Sequence, residues 1–250
     1  MTRIALITGA NKGIGFATAR LLGERGMTVL IGARDAGRGQ AAAGALREAG
    51  VDAHPVTLDV TDEASIEKAA SWIASEFGHL DVLVNNAGIA RADGTGRPSE
   101  TTLPTLRAVF ETNVYGVVAV TNAVLPLLRQ GTAPRIVNVS SEVGSISSMT
   151  DPDSPLWPIA SVPYPASKTA LNMVTVMYAK ELRDSGIKVN AANPGYCATD
   201  LNHNSGFRTA EQGAEVAVHL ATLPDDGPTG TLWGYLWRTD GTEEYGVLPW

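Results

Sequence analysis

The sequence predicts a doubly wound α/β domain, a parallel sheet flanked by helices. Three observations carry that expectation. Short apolar runs recur along the chain, separated by stretches of helical periodicity. A glycine-rich turn follows the first run. The unusual polar motifs lie just after the runs, beyond the strand ends where sheets of this kind bind ligands. The 250 residues show no break in composition, so a single domain, residues 1–250, is expected to carry every site.

Ile4 to Thr8 is apolar and bounded by glycine, as a strand buried on both faces should be. A helical pattern runs from there to about Arg25. Thr28 to Gly32 reads as the second strand and 39–49 as the second helix. Val56 to Val60 is the third strand candidate. Residues 62–77 follow as a helix, with Ile66, Ala69, Ala70 and Ile73 at helical spacing. Val82 to Val84 is the fourth strand, ending at Asn85-Asn86-Ala87-Gly88. A loop rich in Gly, Pro and Thr leads to one long helix, about 103–129, with Pro126 bending its end. Arg135 to Ser140 is the fifth strand. Prolines 152, 155, 158 and 163 make 142–163 an irregular segment. A helix starting at Tyr164 and a strand from Ile187 to Ala192 complete the alternation, and a last strand is expected near Trp233 to Trp237. The rhythm is that of a Rossmann-type fold.

Composition narrows the function. A net charge of −7 argues against a nucleic-acid or acidic-membrane surface. The lone cysteine, Cys197, allows no intrachain disulfide and no cysteine-based zinc cage. His203 and His219 show no metal-ligand spacing, and no metal site is expected. The N-terminus lacks the pattern of a secretory signal, and no stretch approaches the ~20 apolar residues of a membrane span. The expectation is a soluble, cytoplasmic protein.

Thr8-Gly9-Ala10-Asn11-Lys12-Gly13-Ile14-Gly15 joins the first strand to the first helix. Glycines bring backbone close to a ligand, and a helix N-terminus offers free N–H groups to a pyrophosphate. The end of the second strand then chooses between dinucleotides. A carboxylate there would bond a ribose 2′-OH, whereas arginine would pair with a 2′-phosphate. Ala33 is neutral and Arg34 follows, while Lys12 adds a second cation. These favour NADP(H), with NAD(H) possible through Asp35. Asp59 reads equally as a partner for the adenine amine or as a cap of the helix at 62. Asn86-Ala87-Gly88 would lie along the adenosine ribose, or form a turn needing positive φ.

Tyr164-Pro165-Ala166-Ser167-Lys168 places a phenol and an ammonium on one helix face. Proline costs nothing in a first turn. The lysine charge should lower the tyrosine pKa below its ordinary value of about 10, so that Tyr164 exchanges a proton with a substrate oxygen.

With these residues in order, the chain resembles the short-chain dehydrogenases/reductases. The resemblance rests on Thr8-Gly9-x-x-x-Gly13-Ile14-Gly15, Asn85-Asn86-Ala87-Gly88, Asn113, Ser140-Ser141, Tyr164-x-x-x-Lys168, and Asn193-Pro194-Gly195 with Thr199. It spans nearly the whole chain. Gly32-Ala33-Arg34-Asp35, Arg38-Gly39-Gln40 and the final Trp250 are similar to the NADPH-dependent carbonyl reductases. The resemblance implies catalytic roles for Asn113, Ser141, Tyr164 and Lys168. Tyr164 would protonate the carbonyl oxygen, Ser141 would orient it, and Lys168 would hold the nicotinamide ribose. Asn113 would hold a water leading from Lys168 to solvent. The cofactor set would comprise Gly9, Asn11, Lys12, Gly13, Ile14, Gly15, Arg34, Asp59, Val60, Asn86, Ala87, Gly88, Tyr164, Lys168, Pro194, Gly195, Cys197 and Thr199. The implied activity is NADPH-dependent reduction of a small-molecule aldehyde or ketone. The rivals are oxidation of a secondary alcohol with NADP⁺ or NAD⁺, and a non-catalytic NADP-binding redox sensor. Trp157, on the proline-rich segment, is expected to border the substrate pocket. That segment leaves the choice between monomer and homo-oligomer open.

Overall fold

The first strand, β1 (Ile4–Thr8), is buried at every position, and the alternation of its side chains divides the core. Ala5 and Ile7 face one helical layer, while Ile4 and Leu6 face the other. A strand covered on both faces reads as an unbroken apolar run. A computed structural model describes residues 2–237 and 243–250.

Eight strands form one sheet in the order β3-β2-β1-β4-β5-β6-β7-β8. The others are β2 (Thr28–Ala33), β3 (Ala53–Thr57), β4 (Val82–Asn85), β5 (Arg135–Val139), β6 (Lys188–Asn193), β7 (Leu232–Trp237) and β8 (Glu243–Leu248). All neighbours pair in parallel except β7 with β8. One face is covered by α1 (Gly13–Gly23), α2 (Ala36–Glu48) and α8 (Ala210–Ala221). The other is covered by α3 (Glu63–Phe77), α5 (Gly116–Leu128) and α7 (Pro163–Glu181), with α4 (Leu103–Phe110) preceding α5 and the short α6 (Ile146–Met149) preceding α7. The chain leaves β1 for β2 and β3 on one side, then returns to β4 on the other. That reversal opens a crevice beyond the strand ends.

Several boundaries depart from the sequence reading. The third strand is Ala53–Thr57, not Val56 to Val60, and it contains Pro55. An edge strand tolerates a proline because one side of it needs no ladder donor. Asp59 and Val60 therefore lie in the loop after β3. The helix expected over 103–129 is interrupted by a π-turn, Glu111–Tyr115, that carries Asn113. The helical stretch Leu103–Leu128, 26 residues, is also long and apolar enough to cross a membrane by length and composition alone. Here its residues Val109, Val117, Val120, Val124 and Leu128 are buried against the protein. The strand β8 pairs with the expected final strand and was not foreseen; residues 238–242 lie outside the described residues.

At the opposite end of the sheet, Asp81 ties β1 to the β5 approach. Its buried carboxylate accepts the Ile4 N–H at 2.7 Å and the Thr132 N–H at 2.6 Å. Asp81→Ala leaves two donors without their charged acceptor and is expected to cost about 2–4 kcal/mol. Urea unfolding of the variant against the parent measures it.

Candidate active site

The loops after β1, β2, β3, β4, β5 and β6 surround a cleft of about 1120 Å³. Of the residues assigned to a site from the sequence, all border it except Asn113 and Trp157. The glycine loop is held from β4. Thr8 Oγ1 accepts the N–H groups of Asn86 and Ala87, at 3.0 and 2.9 Å. Asn86 Nδ2 returns bonds to the carbonyls of Thr8 and Gly9. Asn86 thus braces the loop through its side chain; neither it nor Gly88 has the positive φ a turn would require. Gly15 admits no side chain, since a Cβ would lie 2.8 Å from the Gly9 carbonyl oxygen. Among the described residues no side chain caps α1, and Gly13, Ile14 and Gly15 of its first turn line the cleft. Thr199 closes the opposite wall, its methyl 3.7 Å from where a Gly13 Cβ would stand.

The charged residues sort differently from expectation. Asp35 caps α2, its carboxylate accepting the Arg38 N–H at 2.8 Å, while Arg34 is exposed at the cleft edge. Lys12 pairs with Asp200 at 2.5 Å, bridging the glycine loop to the segment after β6. Sequence reading missed Asp200, because nothing local marks a partner 188 residues away. Asp62, not Asp59, caps α3. Asp59 turns onto Thr61, accepting its N–H and hydroxyl, and those bonds, then Arg34, hold its carboxyl below the ordinary range.

Tyr164 and Lys168 sit on the first turns of α7, which opens with Pro163 and carries Pro165 where neither needs an N–H. Lys168 is 4% exposed; its Nζ donates to the Val139 carbonyl at 2.7 Å and lies 5.4 Å from the Tyr164 ring centre. The Tyr164 pKa moves opposite to the sequence expectation. Burial pushes it up to about 12, opposed by a hydrogen bond with Ser141. Desolvation of the phenolate sets the direction, and the same burial lowers Lys168 to about 8.

Asn113 lies behind the cleft wall. Its Oδ1 accepts the Ile89 N–H, and its Nδ2 donates to the Ile89 carbonyl and the Ser167 hydroxyl. Both amide hydrogens are spent on protein, leaving only acceptor capacity for a water. The π-turn is what brings it there. Cys197 borders the cleft as a thiol, with Sγ donating to the Pro194 carbonyl and burial raising its pKa to about 11. Gly195 and Pro194 line the same wall. Trp157 does not reach the cleft and is 55% exposed; Leu156, at 3%, turns inward instead. Two buried polar residues beside Ser141 escaped notice in the sequence. Glu142 accepts the Trp237 N–H, and Asn172 lies one turn past Lys168 on α7. The i, i+4, i+8 spacing of Tyr164, Lys168 and Asn172 was the available signal.

Burying Lys168 has a pH signature. The unfolded chain keeps the lysine proton to about 10.5, the folded protein only to about 8. Below about 8 the whole cost of the buried charge is present, and between those values stability rises with pH. Lys168→Met is therefore expected to raise stability at neutral pH by about 1–3 kcal/mol, with the gain shrinking toward pH ~10.5. Thermal melts of parent and variant across that range check it.

The family described as short chain dehydrogenase matches residues 3–210. Short-chain dehydrogenase anuI of Penicillium roqueforti is 38% identical over 247 residues, covering 96% of this chain and 95% of its own. The (+)-neomenthol dehydrogenase of Capsicum annuum is 33% identical over 298 residues, covering 92% and 94%. Among solved structures, NADPH-bound carbonyl reductase from chicken fatty liver superposes with a TM-score of 0.83 at 28% identity, covering 100% of this chain and 99% of that one. A glycine-loop cleft at the sheet reversal, a Tyr-x-x-x-Lys helix and a match over most of the length place this chain in the short-chain dehydrogenase family.

Proposed function

We propose that the chain reduces an aldehyde or ketone with NADPH, one domain holding both cofactor and substrate. The observation that carries the reading is the Tyr164 phenol, bonded to Ser141 and one helical turn from Lys168, at the cleft that the glycine loop opens. The residues fit a dinucleotide. Gly15 admits no side chain where the loop backbone must be bare, and the α1 N–H groups are free of side-chain caps. Arg34 stands as a cation at the end of β2, and the rival acceptor Asp35 is engaged as a helix cap. That arrangement favours a 2′-phosphate over a bare ribose. Asp59, Val60 and Asn86 to Gly88 would border the adenosine half; Pro194, Gly195, Cys197 and Thr199 would border the nicotinamide.

Bound there, NADPH supplies the hydride that converts a carbonyl carbon to an alcohol carbon. Tyr164, protonated at neutral pH, gives its proton to the substrate oxygen. Ser141 donates a hydrogen bond to the same oxygen and favours the charge that develops on it. Lys168, charged below about 8, stabilises the tyrosinate left behind. Asn113 holds the backbone at Ile89 and the Ser167 side chain, fixing α7 against the β4 loop. The substrate end is apolar, with Val143, Leu156, Ile159 and Trp237 on its walls. A hydrophobic carbonyl compound fits it, in keeping with the reductase and dehydrogenase names of the relatives. Those dehydrogenase names also support the reverse reaction, oxidation of a secondary alcohol.

Oxidation of NADPH and NADH, followed by absorbance against quinones, aromatic aldehydes and ketones, tests the reading. Turnover with NADPH is expected; tight NADPH binding without turnover across the panel would refute it. Tyr164→Phe should lose at least about 100-fold in kcat while binding NADPH as the parent does. Arg34→Asp should weaken NADPH binding about tenfold or more and favour NADH. Unchanged NADPH preference would remove the phosphate assignment.

A further inference from the structure

Asn172 is 4% exposed, on the α7 face that carries Tyr164 and Lys168. A buried carboxamide is costly unless both ends are bonded. Its Oδ1 accepts the Ser140 hydroxyl at 2.6 Å, and its Nδ2 donates to the Gly144 carbonyl at 3.1 Å. Ser140 immediately precedes Ser141, and Gly144 follows it by three residues. One side chain therefore grips the loop on both sides of the serine.

The loop has no slack at this point. Thr169 Oγ1 donates to the same Gly144 carbonyl at 3.0 Å. A Cβ on Gly144 would lie 2.8 Å from the Lys168 carbonyl carbon, so the loop backbone rests directly on α7. The Ser140 N–H is bonded to the Ala192 carbonyl of β6 at 2.8 Å. The Ser141 carbonyl accepts the Gly144 N–H at 3.0 Å, but its side chain has weaker local support: the Val143 N–H reaches its Oγ only at 3.4 Å. Its placement is set by its neighbours: Thr169 ties Gly144 to the helix bearing Tyr164, and Asn172 ties both Ser140 and Gly144 to it.

We propose that Asn172 is a positioning residue, whose carboxamide locks the Ser141 loop to α7 and so sets the distance between the Ser141 and Tyr164 hydroxyls. The consequence for turnover rests on the reading of Ser141 and Tyr164 as the reacting pair; the geometric claim does not. Asn172→Leu keeps the volume and removes both bonds. Ser140→Ala removes one arm of the clamp with little loss of packing, and it decides the matter should Asn172→Leu not fold.

The test has two readouts. In protein carrying isotope-labelled tyrosine, the Tyr164 ring resonance is assigned through Tyr164→Phe. Ser141→Ala, Asn172→Leu and Ser140→Ala should all shift it in one direction, because each loosens the same hydroxyl pair. With NADPH and phenanthrenequinone, Asn172→Leu should lower kcat about 10- to 100-fold with an unchanged KM for NADPH. The double variant Ser141→Ala/Asn172→Leu should lose no more than Ser141→Ala alone. A variant that only destabilised the fold would melt earlier yet keep the Tyr164 resonance and kcat, and that result overturns the proposal, as would additive losses in the double variant. A parent protein that fails to reduce the quinone counts against the functional reading alone, and the resonance then decides the role of Asn172.

Discussion

A lysine ammonium buried at the end of β5 is the constraint on which this site depends. Lys168 has one close carbonyl partner, Val139, and its environment withdraws water from the charge. Such a group survives only where its surroundings are fixed closely enough to prevent the helix from drifting away. The structure supplies that rigidity with side chains from several elements. Asn85 bonds Thr121 of α5 and Asn138 of β5; Asn138 bonds Thr175 of α7. The amides thus continue across β4 and β5 the stitching that holds α7 to the sheet.

The same desolvation accounts for the phenol. Water excluded from Lys168 is also excluded from Tyr164, so the two groups move toward neutrality together, one losing its proton more easily and the other holding it more firmly. Raising the phenol's pKa keeps it protonated but makes it a weaker acid, so proton donation from it depends on what stabilises the tyrosinate, namely the Ser141 hydrogen bond and any charge beside it. The cleft, its glycine floor and the helix N-terminus occupy the sheet reversal, where the topology leaves an opening whatever the ligand.

Much of the architecture was legible because burial on both faces writes itself as uninterrupted apolar runs. The strands β1, β2 and β4 are of this kind, whereas β5 and β6 carry buried Asn138 and Asn190 within otherwise apolar runs. The edge strand β3 was misplaced because its residues are half-covered and contain Pro55, which sequence patterns treat as a stop. The glycine loop and the Tyr164–Lys168 pair were legible as motifs with fixed spacing, and Ser141 only through the resemblance to the family. What escaped was nonlocal or a matter of degree. The Lys12–Asp200 pair joins distant loops. The exchange of capping duty between Asp59 and Asp62 turns on where a strand ends. The direction of the Tyr164 shift required weighing a charge against burial, and only packing measures the second.

The π-turn at Glu111–Tyr115 has a consequence for how this stretch tolerates change in length. A wider turn accommodates about one residue more than an α-turn, and each residue rotates a helix by about 100°. Deleting a single residue there would restore a regular helix with α4 and α5 still in phase, whereas a deletion in the regular turns of α5 would rotate the Val117, Val120 and Val124 stripe away from the sheet by that angle. What the shorter turn would lose is the bulge that carries Asn113 to the backbone of Ile89. The π-turn is therefore where this stretch can absorb a change of length, and the Asn113 contacts are what such a change would cost.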